Sequence, residues 1–506
     1  MLFHLMSGVS VCLSVVFFTG FLALCCWYKR PKNFPPGPRG VPFLGVIPFL
    51  GNYPARVMQK WSRKYGPVMS VRMGSRDLVV LNNHENIQKA LVMQGQIFSG
   101  RPNMPALTQV TDGLGLATID YTDHWKTQRR FGQTTLRGFG VGKRSMEDRI
   151  VEEVEYLNNA IRSHNGKPFD ILGILGNAVS NNTCSVVMGR RFDYDNERFK
   201  KIIATLSGLF TNPKSNSTII LVLFMPFLMK IPPFSWINNK RVDGINEIKR
   251  LLREIVHEHE LRFDKDDVRD FMDAFIAEQK KNDKHSSFTV SIKITRCKDL
   301  QLLQYVRDLF VAGTETTTST LRWSILCLIH NPEKQEKLRK EIYKVTGQDR
   351  VPAMSDKAQM PYTCAFMQEV FRYRTLVPLS LFHATNDDVS LNGYRIPKGT
   401  TVLPNLWAVH NDPDVWDEPS KFKPERHLDE KGNFVQSKHV IPFSVGPRQC
   451  LGEQLARMEI FIFLVSMVQK FEFLPDPNEP NLPEIENGSC GTVFVPFRFK
   501  QIAKMK

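Results

Sequence analysis

The stretch Pro442-Phe443-Ser444-Val445-Gly446-Pro447-Arg448-Gln449-Cys450-Leu451-Gly452 sets one cysteine between two glycines, with an arginine two residues before it. Spacing excludes zinc, which wants several Cys or His at close intervals, and Cys450 has no such neighbours. The chain holds nine cysteines, an odd number without a CxxC pair, which disfavours a disulfide. A nucleophile would need a base whose position the sequence does not reveal, and a buried structural thiol is the plain alternative. The only metal-like motif elsewhere, His257-Glu258-His259-Glu260, puts Leu261 where a metalloprotease needs its second histidine. That segment reads as a charged, solvated helix face.

Two further stretches could do chemistry. Glu369-Val370-Phe371-Arg372 puts a carboxylate and a guanidinium on one helical face at i, i+3, a pattern that surface helices also show. Leu309-Phe310-Val311-Ala312-Gly313-Thr314-Glu315-Thr316-Thr317-Thr318 places a glycine and β-branched residues inside a long apolar helix, which is poor helix chemistry and needs a reason. Ala312 and Thr316 are i, i+4 and share a face. Threonines satisfying their own i−4 carbonyls are the plain explanation.

These residues need a scaffold, and helical periodicity supplies most of it. It covers Lys143 to His164, Asn246 to Phe263, Leu302 to His330, Glu333 to Val345 and Leu451 to Phe471. Short strands are expected over Val68–Met73 and Leu78–Leu81, separated by Gly74-Ser75-Arg76-Asp77. A second strand region runs from Asp387 to Val402 around the Asn392-Gly393 turn. The expectation is a mainly α chain: one large helical domain with a small β-rich region, residues 51–506. Ahead of it lie a basic, proline-rich hinge at 29–50 and an apolar segment at 1–28 that lacks Asp, Glu, Lys and Arg. The apolar run is long enough to span a bilayer as a helix, with Trp27 and Tyr28 at the interface and Lys29, Arg30 and Lys32 just beyond. A cleaved signal peptide would instead carry its basic residues first. A retained single-pass anchor leaves the remainder in the cytosol. The net charge of +16 is scattered rather than gathered into arms, which fits anionic lipid or an acidic protein partner and not nucleic acid. The greasy stretch Ile219–Phe227 and the following Ile231-Pro232-Pro233-Phe234-Ser235-Trp236 suit either a buried helix or a segment dipping into the membrane interface.

Taken whole, F-x-x-G-x-R-x-C-x-G fixes five positions, and a chance match in such a chain is on the order of one in ten thousand. The pattern is the signature of the cytochrome P450 superfamily, and the chain resembles its microsomal branch, family 2 in particular, from the anchor to the C-terminus. The resemblance implies the P450 fold and a haem b whose iron takes Cys450 as axial thiolate. Free amides of the following helix would favour thiolate, Gly446 would allow the tight turn, and Gly452 would let backbone approach the porphyrin. Phe443 would pack beside the sulfur and Arg448 would pair with a propionate. Trp125-x-x-x-Arg129 resembles the helix that binds propionate, and His383 stands where family 2 members offer another donor. Pro424-Glu425-Arg426 resembles the PER element, whose Arg426 would join Glu369 and Arg372 in a structural ion triad. His427 replaces the usual Phe there and would weaken that packing, and Pro447 stands where many relatives carry a basic residue. The Leu309–Thr318 helix would cross the distal haem face. There Ala312 and Gly313 would leave space for oxygen, Thr316 would hydrogen-bond it, and Glu315 would help relay protons.

The implied reaction is insertion of one oxygen atom from O2 into a lipophilic fatty acid, steroid or xenobiotic. No GxGxxG or P-loop pattern occurs, so NADPH would act indirectly, through NADPH–cytochrome P450 reductase, with cytochrome b5 as a second donor. Lys126, Arg130 and Arg457 are candidate docking charges. The endoplasmic reticulum membrane is the implied location. A substrate pocket would draw on Asn103–Leu116, Thr205–Phe210, Phe310–Thr316, Val377–Leu381 and Cys490–Val493. Two rivals share Cys450: a haem protein that senses ligand without turnover, and a reductase-independent peroxide isomerase of the same fold.

Overall fold

In a computed structural model of the chain, residues 30–211, 213–281, 288, 300–479 and 482–506 are described, with backbone alone at 206–211 and 213–217. The expected anchor at 1–28 lies outside the described residues. Among them, no helix is long and apolar enough to cross a membrane.

The helices that frame the site, in chain order, are α1 (Asp123–Gly138), α2 (Arg144–Arg162), α3 (Leu172–Val187), α4 (Phe234–Leu261), α5 (Leu300–His330), α6 (Pro332–Thr346), α7 (Pro361–Tyr373) and α8 (Glu453–Lys470). Their caps follow local chemistry: the Thr122 hydroxyl accepts from the Trp125 amide at 3.3 Å, and Pro332 and Pro361 open α6 and α7 at the position that has no intrahelical use for an N–H. α5 runs through the centre and stays helical across Gly313, whose missing Cβ has a packing cause. A Cβ there would lie 2.8 Å from Thr183 Oγ1, so the glycine lets α3 close on α5. α5 and α8 are buried over most of their length, which is why both read as apolar nearly all round.

Strands β1 (Val68–Met73) and β2 (Arg76–Leu81) pair antiparallel from Val68↔Leu81 to Met73↔Arg76. The turn is therefore Gly74-Ser75 alone, and Arg76 and Asp77 belong to the strand. β3 (His383–Ala384) and β6 (Thr401–Pro404) complete this sheet, in the order β1-β2-β6-β3. Between them β4 (Val389–Leu391) and β5 (Tyr394–Ile396) form a hairpin at Asn392-Gly393. The proline-rich segment is laid against β1: the Ser70 amide donates to Pro36 O at 2.8 Å, and Arg30 Nε reaches Asp77 at 3.3 Å.

The greasy stretch before Trp236 divides in two. Val222, Leu223 and Phe224 are buried against the sheet, whereas Phe227 and Trp236 are 60% and 67% exposed. Phe43 and Phe49, exposed too, flank the same cluster.

Candidate haem-binding site

The loop before α8 is wound so that the cysteine faces inward. The Cys450 amide donates to Phe443 O and the Gln449 amide to Gly446 O, each at 3.0 Å. Gly446 sits at φ +81°, and a Cβ there would lie 1.8 Å from Leu91 O, so no other residue fits. Pro447 packs against Gly95, where an added Cβ would meet its Cδ at 2.8 Å. Phe443 stacks edge-on to Phe371, with centroids 5.6 Å apart, and carries Arg457 over its face. A Cβ on Gly452 would meet no protein atom, so nothing within the chain requires its smallness.

Cys450 is accessible, yet burial pushes its thiol up, against the opposing pull of the Gly452 amide and the Arg129 charge. Both facts describe one position: a sulfur open to an internal hollow and enclosed by protein beyond it. Left to these neighbours the thiol form is favoured, so a thiolate here calls for a cation bound at the sulfur. The accessible stripe of α5 tells the same story. Ala312 is exposed, and Leu309 and Thr316 are half-buried, while Phe310, Thr314 and Glu315 between them are buried. A helix in mid-core can show such a stripe only to an interior space.

The edge of this hollow carries more positive than negative charge, with Asp120 the carboxylate near Arg101 and Arg448. The Arg448 guanidinium lies 4.1 Å from the Trp125 ring centre and donates only to carbonyls, those of Ser99 and Ile119 at 2.8 Å and Leu116 at 3.3 Å. Trp125 Nε1 is also turned to Leu116 O, at 3.1 Å. Arg101 donates to Phe382 O at 2.6 Å and Ala117 O at 2.9 Å. Arg129 reaches Gln449 O. Burial, and then the charge of Arg101, push Arg448 well below the ordinary guanidinium range. His383, bonded through Nδ1 to Phe98 O at 2.8 Å, is held down to about 3 by burial, with Arg101 and Arg448 adding to the effect. The nearby carboxylate, Asp120, is occupied by the amides of Arg101 and Tyr121. Buried charge of one sign is costly unless a partner meets it, so this edge is built for an acidic group. Arg101 was not among the expected residues. Its one signal in the sequence is a basic residue before Pro102, too common a pattern to single out.

The two distal side chains have these partners. The Thr316 hydroxyl donates to Ala312 O at 2.6 Å, the self-satisfied arrangement, which leaves its lone pairs to accept from the hollow. Glu315 is turned away from that face and accepts from Ser319 Oγ at 3.0 Å. The pocket ranges differ in burial: Phe310 and Val493 are buried in the core, Val377 and Leu379 are half-buried, and Leu381 is exposed. Thr205 bonds its own helix at Lys201 O, 2.7 Å away, and the side chains of 206–210 lie outside the described residues.

Behind the site, Glu369 gathers the triad and more. It accepts from Arg372 Nη2 at 2.7 Å and Nε at 2.8 Å, from Arg426 Nε at 3.1 Å and from the Lys423 amide at 2.9 Å. His427 was expected to weaken this packing; instead its Nε2 reaches Glu369 at 2.9 Å, with Gln368 Nε2 at 3.0 Å from its Nδ1. Burial alone would raise Glu369, but these donors hold it down to about 2. The supposedly solvated His257–Glu260 face is also corrected. His259 is buried, with Nδ1 facing Ile255 O at 3.0 Å and Nε2 facing Asp270 at 2.9 Å. Both ring nitrogens face acceptors, and against burial Asp270 pulls this imidazole up toward its charged form, which leaves no free lone pair for a metal.

A flat group with a metal that takes a thiolate and an acidic edge reconciles the open sulfur, the small-residue stripe and the arginines. Iron porphyrin is such a group, and the site is of the haem-thiolate class. Comparison with known proteins agrees: the family profile described as Cytochrome P450 matches residues 35–500. The chain is 38% identical to Cytochrome P450 2U1 of Homo sapiens over 95% of this chain and 91% of that protein. It is also 38% identical to Cytochrome P450 2C5 of Oryctolagus cuniculus, covering 92% and 95%, and to Cytochrome P450 2J2 of Homo sapiens, covering 89% and 88%. The chain belongs to the cytochrome P450 family, with family 2 members among its relatives, and is a P450 monooxygenase.

Proposed function

We propose that this monooxygenase inserts one oxygen atom of O2 into a lipophilic small molecule: a fatty acid, a steroid or a xenobiotic. Its electrons come from NADPH through NADPH–cytochrome P450 reductase, with cytochrome b5 as a second donor. Residues 1–28 anchor it in the endoplasmic reticulum membrane with the catalytic domain in the cytosol. The observation that carries the reading is the accessible Cys450 sulfur near the buried cluster of Arg101, Arg129 and Arg448, which Asp120 only partly balances.

Haem, when bound, supplies the activation of O2. The chain's own residues bind, orient and exclude water. Cys450 would hold the haem iron through its sulfur, and Phe443, packed edge-on against Phe371, would shield that sulfur. Arg101, Arg129 and Arg448 would hold the acidic edge and Trp125 supports Arg448, whereas neutral His383 gives its N–H to Phe98 O and keeps only an acceptor at Nε2. Gly452 and Ala312 would leave room for the group, and Gly313 acts indirectly by seating α5 on α3. The Thr316 hydroxyl, donating to Ala312 O, accepts a hydrogen bond from the hollow, and Glu315 stands behind it on Ser319. The apolar accessible residues Leu309, Ala312, Val377 and Leu381 support a lipophilic substrate.

Exposed Phe43, Phe49, Phe227 and Trp236 support contact of this edge with the bilayer. Arg130, exposed and without an ion pair among the described residues, is the best docking charge for the reductase, because Lys126 pairs with Asp123 at 3.0 Å and Arg457 with Glu453 at 2.8 Å. The test is the carbon monoxide spectrum of the reduced full-length protein. A thiolate-ligated Soret band in wild type, lost in Cys450→Ala, is expected; haem-replete protein without that band overturns the reading.

A further inference from the structure

The loop that carries Cys450 begins at Ile441, and a single side chain ties Ile441 to the scaffold. His410, at the end of the short helix Leu406–His410, is fully buried, and its Nε2 lies 2.9 Å from the Ile441 amide. A backbone amide can only donate, so Nε2 is the bare nitrogen and Nδ1 carries the proton. Nδ1 faces the Thr375 hydroxyl at 2.8 Å, and that hydroxyl lies 3.1 Å from Arg372 O, which can only accept. Every hydrogen is thereby placed: Ile441 N–H donates to Nε2, Nδ1–H to Thr375 Oγ1, and Thr375 O–H to Arg372 O. The opposite tautomer would set two N–H groups against each other at Ile441.

This chain of bonds joins two places already described. At one end stands Arg372 of the Glu369 network, whose Nη1 also donates to His410 O at 2.9 Å. At the other, Ile441 O accepts from the Ser444 amide at 3.1 Å, and the carbonyl of Phe443, between them, accepts from the Cys450 amide at 3.0 Å. The buried Ser444 hydroxyl has no partner among the described residues, so it adds no second hold on this segment. Burial, and then the charge of Arg372, keep His410 down at about 3 against the opposing pull of Glu369, so the imidazole is neutral at neutral pH.

We propose that His410 is a positioning residue for the thiolate. Its bare Nε2 holds the Ile441 amide, and through it the Phe443 carbonyl that anchors the Cys450 backbone, in register with the Glu369–Arg372 network. This rests on the haem monooxygenase reading above. His410 acts through the Cys450 loop and need not touch the haem.

Asparagine and glutamine separate the two ring nitrogens. The Asn amide reproduces Nδ1–H toward Thr375 and has nothing at Nε2, whereas Gln reaches the Nε2 position and offers its carbonyl to Ile441. His410→Asn therefore leaves a buried N–H unmet, and His410→Gln does not. The experiment takes full-length, haem-loaded wild type, H410N and H410Q, reduced under carbon monoxide, and follows conversion of the thiolate-ligated Soret band to the thiol-ligated one. Conversion is expected about tenfold faster in H410N, the factor for one buried donor left unsatisfied, and within about twofold of wild type in H410Q. Hydrogen exchange in peptides spanning 441–450 should quicken in H410N while α7 keeps its protection, a local change that a general loss of packing would not give. Equal conversion in H410N and wild type overturns the proposal. So does H410Q converting as fast as H410N, since shape and not the acceptor would then be what matters. If H410N collects no haem, H410Q decides: a stable band supports the proposal and a missing one overturns it. A wild type without the band refutes the haem reading, and hydrogen exchange at 441–450 then still tests the tether.

Discussion

The same substitution, Glu to Gln, should change stability in opposite directions at two buried sites. Glu369 sits in the network of Arg372, Arg426 and His427, and its donors outweigh burial to hold it at about 2, against an ordinary 4.5. A carboxylate depressed on folding contributes stability that is fully present above pH 4.5 and is lost as pH falls toward 2. The shift corresponds to about 3 kcal/mol at pH 7. Glu369→Gln also strands Arg372, which is fully buried, so the total cost is about 3–5 kcal/mol. Glu459 is the reverse case. Its carboxyl is raised from 4.5 to about 8, so folding stability falls as pH rises from 4.5 to 8 and is flat outside that window. At pH 7 wild type bears a penalty of about 3 kcal/mol that a glutamine does not. For a chain this long, 1 kcal/mol moves the unfolding midpoint by about 1 °C. Scanning calorimetry of the haem-loaded proteins at pH 7 should place E369Q about 3–5 °C below wild type and E459Q about 3 °C above. The E459Q advantage should shrink toward pH 5, and the E369Q deficit should begin to close below 4.5. Two midpoints shifted the same way, or an E459Q gap that ignores pH, would refute the electrostatic assignments of both sites.

Four further outcomes follow from named contacts. Arg448→Met should keep the fold but loosen the acidic edge, so apohaem acceptors should strip haem from it at least about tenfold faster than from wild type. Gly446→Ala forces a Cβ into Leu91 O at a positive φ, and should prevent accumulation of the thiolate-ligated form, read as haem content after expression. Thr316→Ala removes the acceptor facing the hollow while α5 stays intact; the carbon monoxide band should persist while peroxide release rises. The double change Phe227→Ser and Trp236→Ser exposes less apolar surface, and should lower partition of an anchor-deleted protein into lipid vesicles, by about 2 kcal/mol or more as measured by flotation.

The legibility of this chain divides along a physical line. Motifs whose function depends on covalent order could be read: the turn at Gly446, Cys450 itself, and the i, i+3 pair Glu369 and Arg372 are local facts that sequence carries directly. The long helices were legible for the same reason, since a 3.6 period repeats over many residues, and the calculated bounds differ from the periodic ones by a few positions in most cases. What sequence could not carry is the sign of burial. Arg101 is one of 67 basic residues and becomes a binding group only because β3 brings Phe382 and His383 against it. His259 looked solvated because its neighbours are charged, yet one helical position away from them it meets Asp270 across the fold. His427 looked like a weakened Phe until its ring nitrogen was seen to face Glu369.

Glu459 shows the limit most sharply. In Leu455-Ala456-Arg457-Met458-Glu459-Ile460-Phe461 it stands between an exposed-type residue and an apolar run, where a glutamate is ordinary helix surface. Only the approach of α3, permitted by the missing side chain of Gly313, removes its solvent without giving it a cation. A group that destabilises the fold at neutral pH, and that an uncharged residue of the same shape could replace, is hard to account for by packing.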